Sequence, residues 1–463
     1  MVFSSNIFLF AYLPLFLLAY FATPWRFKSA LILVFSYSFY AWWRPEFLFL
    51  LIGVSVGSYL FALAIDATDD AKKRYRILCA GVALNLLTLG YFKYANFGVD
   101  SLNVALKAIG VSSVSWTAVL LPIGLSFYIF HAISYLVDIY RKEAPPARNL
   151  IDFSAFIALY PHLVAGPVLR YHLLAEQFRS RVHSLANFAQ GCQVFMLGFC
   201  QKVLIADTVA PLADAAFSAP SPSAADAWLG IVAYTVQLFF DFSGYSTMAI
   251  GLALMIGFKF PENFNDPYLS TSITEFWTRW HMSLSSWLRE YLYIPLGGNR
   301  KGPLRTYVNL FLTMLLGGLW HGSNWTFLIW GAWHGGVLAV ERYLKERFGI
   351  LPIPRWLLIF KTMILVMIGW VFFRAHTVSD AMRMFKALAG FGQSGAPFSH
   401  VVAWQVTSDR LIVLVIGCLL VYLFPLLRRY AHTPIRYLII PLFVWAVATL
   451  SAQSFTPFLY FQF

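Results

Sequence analysis

The chain has 463 residues, of which 59% are hydrophobic, 18% aromatic and only 12% charged, with a mean hydropathy of +0.67 and a formal net charge of +13 from 34 basic and 21 acidic side chains. Soluble domains carry about twice that charged share, so the composition excludes them and specifies a protein built for a bilayer. The positive charge falls in short clusters between apolar runs, which follows the positive-inside rule and excludes a nucleic-acid surface.

At about twenty apolar residues per crossing plus short loops, this length divides into roughly ten to thirteen crossings. The expected fold class is all-α, a polytopic transmembrane helical bundle. It forms one integral domain over residues 1–463, with N-terminal spans in 1–150, a core in 151–345 and C-terminal spans in 346–463.

Residues 6–22 are apolar almost from the start and show neither a basic leader nor a small-residue cleavage site, so they are expected to be a retained first span. Spans over 29–43 and 47–65 come next. A fourth ends near Tyr91, a polar loop leads to Trp116, and a fifth covers 119–140. Alternate loops carry Arg26, Lys28, Lys72, Lys73, Arg74, Arg76, Arg141, Lys142 and Arg148 on one side, against Arg44, Lys93 and Lys107 on the other. This bias places the N-terminus outside and the basic loops in the cytoplasm. Cys79, Cys192, Cys200 and Cys418 lie in apolar runs, and the one close pair is about 12 Å apart along a helix, too far for a disulfide.

Residues 153–168 are short for a span and interrupted twice, by Tyr160-Pro161-His162 and by Ala165-Gly166-Pro167. Such a stretch reads as a re-entrant or broken helix, tolerated at membrane depth only where protein or a cavity satisfies the freed backbone. A span over 188–205 ends near Lys202. The long apolar stretch 227–258 carries Gln237, Asp241, Ser243 and Tyr245, and a carboxylate inside a span is either paired or functional.

Polar residues then concentrate in aromatic sequence between Thr274 and Gly336. Trp277, Trp280, His281, Leu284, Trp287, Leu288 and Tyr291 fall on one face of a single helix, with Glu275, Arg279, Ser286 and Glu290 elsewhere. That pattern predicts an amphipathic helix lining a cavity or the interface. Leu296-Gly297-Gly298-Asn299-Arg300 is a polar turn without the strand or spacing of a nucleotide loop. Residues 307–319 lead into Trp320-His321-Gly322-Ser323-Asn324. A histidine buried there is neutral and can take a proton from a hydroxyl. His334, among Gly331, Gly335 and Gly336, reads as a close helix-packing position. No two of His281, His321 and His334 have the i, i+4 spacing of a zinc helix, so no metal is expected. Spans over 324–341, 356–374, 411–427 and 437–451 and an amphipathic segment over 378–389, with Met382, Phe385 and Leu388 at helical spacing, complete the chain. No internal repeat supports a secondary transporter, the alternative from another class.

The run from Phe276-Trp277-Thr278-Arg279-Trp280-His281 to Leu296-Gly297-Gly298-Asn299-Arg300, with Gly318-Leu319-Trp320-His321-Gly322, resembles the membrane-bound O-acyltransferase family, and within it the alginate O-acetyltransferase branch. Leu121-Pro122-Ile123-Gly124, Tyr160-Pro161-His162, Asp241-Phe242-Ser243-Gly244-Tyr245 and the terminal residues 458–463 carry the resemblance along the chain; residues 100–115 and 390–409 match least. The resemblance implies a central tunnel in which His321 matches the family's invariant histidine and His281 its second polar position, an Asn, Asp or His. It further implies an acyl thioester donor such as acetyl-CoA arriving from the cytoplasm, no bound cofactor, and an acceptor on the other side. In the polysaccharide branch the acetyl group passes to a periplasmic acetyltransferase partner beside the export machinery, for O-acetylation of alginate, cellulose or another polymer, in the lipid of the bacterial inner membrane. His321 is then the general base or the covalent acyl carrier, and His281 orients it or stabilises the oxyanion. Trp320, Asn324, Arg279, Trp277 and Asp241 are the expected substrate contacts. D-alanyl transfer to teichoic acid and peptidoglycan O-acetylation are the alternatives within the family.

Overall fold

The computed structural model describes residues 1–349, 352–393, 397–427, 437–452 and 458–459. Among them the ordered elements are all helical. Six helical stretches are long and apolar enough to cross a bilayer: Glu46–Asp66, Ala71–Ala108, Leu185–Ser218, Ala224–Met255, Arg355–Arg374 and Ser408–Leu427. Two shorter apolar helices, Phe8–Ala22 and Ile439–Ala452, accompany them. These six are the described helices that combine that length with that apolarity; shorter or more polar helices, Lys28–Ala41, Leu125–Arg141, Pro303–His321 and Trp325–Phe348 among them, stand at other runs read as spans. The chain divides into two compact units, one of Met1–Cys192 with Ala249–Phe260 and one of Gln193–Met248 with Pro261–Phe463.

The first unit holds α1 (Leu13–Ala22), α2 (Lys28–Ala41), α3 (Glu46–Asp66), α4 (Ala71–Ala108), α5 (Leu125–Arg141), α6 (Leu150–Ala158), α7 (Tyr160–Leu163), α8 (Tyr171–Arg179) and the first part of α9 (Leu185–Cys200). α5 packs against α3 and α4, and its Tyr128, Ile129, His131, Ser134 and Asp138 are all buried. The outer faces of α1, α3 and α4 instead expose Leu18 (72%), Phe49 (78%) and Leu87 (71%). Apolar faces of that size suit lipid.

The fourth span, expected to end near Tyr91 before a polar loop to Trp116, is corrected: α4 continues to Ala108, and the loop begins only beyond it. The expected break in 153–168 is present. α6 stops before Leu159, and Pro161 stands in the first turn of α7. Groups released by the break find partners, as buried backbone requires. The Tyr160 N–H donates to Ser36 Oγ at 3.2 Å, and His162 Nε2 donates to the Phe156 carbonyl at 2.8 Å.

The second unit continues through a π-helical turn, Gln201–Ala206, into α10 (Asp207–Ser218), then α11 (Ala224–Met255). Next come α12 (Ile273–Arg279), α13 (Met282–Leu288), α14 (Pro303–His321), α15 (Trp325–Phe348) and α16 (Arg355–Arg374). The last are α17 (Val378–Leu388), α18 (His400–Ala403), α19 (Ser408–Leu427) and α20 (Ile439–Ala452). α17 is amphipathic as expected and closed by a Thr377/Asp380 capping box, but its buried stripe is Ala381, Met384 and Ala387, while Met382 is exposed. All four cysteines are free thiols. The last four residues of the terminal motif, 460–463, lie outside the described residues.

Two features of this unit set the site. α14 and α15 meet along glycines: a Cβ at Gly318 would lie 2.3 Å from the Phe327 carbonyl oxygen, and one at Gly331 2.5 Å from that of Met314. Only a bare backbone permits this approach, as in small-residue helix seams. The second feature corrects the single helix expected over 277–291. The chain breaks between α12 and α13, and His281 there adopts φ +45°, ψ +53°. Two backbone hydrogen bonds hold the break open: Asn265 N–H to the Arg279 carbonyl and Met282 N–H to the Asn263 carbonyl, both 2.9 Å.

Candidate active site

Both motif histidines belong to the second unit and both are buried, His281 completely and His321 at 6% exposure. His321 is the last residue of α14, with Gly322 as its C-cap. Asn324 caps α15 by accepting from the Thr326 N–H at 3.2 Å and ties the turn down by donating to the His376 carbonyl at 2.8 Å. The glycine seam and this capped turn fix where the His321 ring emerges. Aromatic rings enclose it, with centroids of Trp320 and Trp330 at 5.0 Å and of Phe373 at 5.3 Å.

His281 joins the same aromatic cluster through other rings. Phe242 from α11 meets its ring edge-on at 4.6 Å. Its neighbour Trp280 lies 5.1 Å from Trp370, which in turn lies 5.6 Å from Phe373. Because His281 sits at a break and not on a helical stripe, its ring direction is set by Asn263 and Ser283. The Asn263 Oδ1 lies 3.1 Å from His281 Nδ1, and Ser283 Oγ 3.4 Å from it. Nε2 is buried without a hydrogen-bond partner among the described residues. Burial lowers the pKa of His281 to about 3, so the ring is neutral at any physiological pH.

The other expected contacts divide. Trp277 stays in the cluster, 5.6 Å from Trp330 and 5.2 Å from His334. Trp320 is in place beside His321. Asn324 serves the backbone, as described. Arg279 pairs with Glu275 at 2.9 Å and donates to the Asn265 carbonyl at 3.3 Å, half-buried at the edge of the break. Asp241 is held in a buried ion triad: Lys202 Nζ lies 2.7 Å from Asp241 and 2.5 Å from Asp207, and the other Asp241 oxygen accepts the Leu459 N–H at 3.0 Å. Its described partners are therefore structural ones.

His334 is completely buried against Trp277 and Trp330, and Gly331 and Gly335 beside it press on α14 while Gly336 does not. Neither of its ring nitrogens has a hydrogen-bond partner among the described residues. Asn263, Phe242, Trp330, Trp370 and Phe373 were not singled out from the sequence. Asn263 is a lone polar residue eighteen positions before His281, and no periodicity links the two.

Among the described residues one group could hold a metal by proximity, Asp138, Glu143 and His172 in the first unit, with ligand atoms within 4.8 Å of one another. There the Asp138 carboxylate already accepts the His172 backbone N–H at 3.2 Å and the ring Nδ1–H at 2.9 Å. Asp138 raises the pKa of His172, and the pair reads as an ion pair.

The sequence model of the membrane-bound O-acyltransferase family matches residues 139–372, a segment that contains both histidines and all of the aromatic cluster but Phe373. This chain belongs to that family. Over its whole length the acyltransferase is 52% identical to the probable alginate O-acetylase AlgI of Pseudomonas putida and 50% identical to that of Azotobacter vinelandii, each also covered completely. It is 36% identical to the peptidoglycan O-acetyltransferase of Helicobacter pylori, across 87% of this chain and 82% of that one. With its apolar helices, it is a multi-pass membrane acyltransferase.

Proposed function

We propose that this acyltransferase O-acetylates an exported polysaccharide of the alginate type, taking the acetyl group from a thioester such as acetyl-CoA on the cytoplasmic face of the bacterial inner membrane. The observation that carries this reading is the full-length similarity to the probable alginate O-acetylases, with the two buried histidines in one aromatic cluster. The donor needs no bound cofactor. An acceptor hydroxyl attacks the thioester carbonyl, a histidine takes its proton, and the tetrahedral intermediate collapses by breaking the C–S bond, the thiolate leaving and regaining a proton. In an environment this apolar, a neutral imidazole and a few fixed dipoles act with little competition from water. The hydroxyl belongs to a periplasmic acetyltransferase partner that passes the group on to the polymer near the export machinery.

Peptidoglycan O-acetylation is the second reading, favoured by the Helicobacter relative. The two are separated by ester-linked acetate in exopolysaccharide and in peptidoglycan from cells with and without the gene. Loss confined to exopolysaccharide supports the first reading, and loss confined to peptidoglycan the second. His321→Ala is expected to lower acetylation at least about a hundredfold with the protein still in the membrane, the scale of losing a base or nucleophile. Full acetylation by that variant would refute the site.

A further inference from the structure

Three basic side chains of the first unit converge on one tyrosine. Tyr20, near the end of α1, is fully buried. Lys28, 8% exposed, donates to the Tyr20 carbonyl at 2.5 Å and lies 4.0 Å from the centre of its ring. Arg181, between α8 and α9, donates through Nε to the Tyr20 hydroxyl and through Nη1 to the Gln177 carbonyl, both at 3.0 Å. Its guanidinium lies 4.3 Å from the ring centre of Phe258 and 4.8 Å from that of Trp25. His183 Nε2 stands 2.8 Å from the same tyrosine hydroxyl.

Every one of these partners is uncharged. Among the described residues neither Lys28 nor Arg181 forms an ion pair. Arg179 takes Glu176 at 3.0 Å, and Asp152 acts on Arg181 only from beyond ion-pair distance. Arg181 Nη2 is buried with no hydrogen-bond partner among the described residues. Burial, and then the charges of Arg181 and Lys28, lower the pKa of His183, the mark of a positive field that nothing nearby cancels. Carbonyls and ring faces satisfy the donors but leave the net charge in place, and buried charge is costly unless an opposite charge answers it.

We infer that this cluster binds the phosphodiester headgroup of an anionic phospholipid, which brings the opposite charge. The flank decides the source of the phosphate. Leu18, Phe21, Trp25 and Phe27 beside the cluster are 72%, 48%, 44% and 51% exposed, an apolar and aromatic rim of the kind found where helices leave the hydrocarbon. A lipid lays its acyl chains along Leu18 and Phe21 while its phosphate meets Lys28 and Arg181. A water-borne phosphate, such as that of a nucleotide-bearing donor, has no use for such a rim. The loop with Arg26 and Lys28 is also one of the basic loops that the charge bias places on the cytoplasmic side, where anionic lipids attract basic segments.

The test titrates the full-length protein in a neutral detergent with dioctanoyl phosphatidylglycerol, dioctanoyl phosphatidylcholine, inorganic phosphate or coenzyme A, and reads the unfolding temperature. Phosphatidylglycerol should raise it saturably and phosphatidylcholine should not. In Lys28→Gln and in Arg181→Gln the apparent affinity for phosphatidylglycerol should fall at least about tenfold, the weight of a hydrogen bond to a charged group. Lys72→Gln, exposed on another basic loop, should leave it unchanged. Equal affinity in Lys28→Gln, Arg181→Gln and wild type would overturn the inference, as would equal stabilisation by the two lipids. A response to inorganic phosphate or coenzyme A that these two variants abolish, with the response to phosphatidylglycerol intact, would assign the cluster to a water-borne phosphate and overturn it as well. Should neither variant fold, native mass spectrometry of the wild type from mixed micelles decides: preferential retention of phosphatidylglycerol supports the site, and equal retention of both lipids refutes it.

Discussion

Lys202 answers two carboxylates at once, Asp207 and Asp241, and all three side chains are almost fully withdrawn from solvent. Breaking a buried ionic cluster by removing its one cation leaves carboxylates that nothing compensates, at a cost of roughly 3–5 kcal/mol. Lys202→Met is therefore expected to lower the unfolding temperature of the detergent-solubilised protein sharply, and Asp207→Asn, which leaves a one-to-one pair, much less. Equal unfolding temperatures for Lys202→Met and wild type would exclude this account. At the same scale, Asp241 was legible in the sequence as a carboxylate that had to be paired or functional. Its partner was not, because Lys202 looked like an ordinary basic residue at the end of a span. Lys202 lies buried within the π-helical turn, and no hydropathy pattern announces such a turn.

At the scale of elements, the glycine seam between α14 and α15 is what aims His321. Gly331→Ala forces a methyl group to within 2.5 Å of a carbonyl oxygen, so the two helices must separate. Overpacking of this kind costs about 1–3 kcal/mol. The variant is expected to insert into membranes in reduced amount and to lose acetylation beyond that reduction, because the ring at the end of α14 moves with the helix. Acetate per molecule of membrane protein is the measurement, and an unchanged ratio would mean the seam does not position the site. The glycines of this seam could be read as packing positions directly from Gly331 and Gly335. The α12–α13 break could not be read that way. The apolar residues from Trp277 to Tyr291 keep helical spacing straight through it, and what interrupts the helix is backbone pairing with Asn263 and Asn265, remote in sequence. The Tyr160-Pro161 break was visible because proline writes its constraint locally.

For the whole molecule, composition alone specified a helical membrane protein, since 12% charged residues cannot clothe a soluble surface of this size. The number of crossings was less legible. Hydropathy counts apolar runs, and several of them, such as α2, α5 and α20, fold as helices of 14, 17 and 14 residues. α4 errs in the opposite direction: at 38 residues it is about 57 Å long, more than a bilayer's hydrocarbon core requires. The distribution of basic residues still sets an orientation. Reporter fusions after Arg76 and after Arg148 are expected to report the cytoplasm, and one after Arg44 the periplasm. The reverse pattern would invert the direction in which the donor is supplied.

The positive φ of His281 constrains evolution as well as geometry. Among residues with a side chain, Asn, Asp and His are the ones enriched several-fold at left-handed backbone angles. Those are the three residue types that the family resemblance allows at this position. The fold thus screens the position before chemistry does: a bend that β-branched and bulky residues resist admits only short polar or imidazole side chains. Whatever reaction a descendant of this scaffold performs, the alphabet available to it at the bend is already that small.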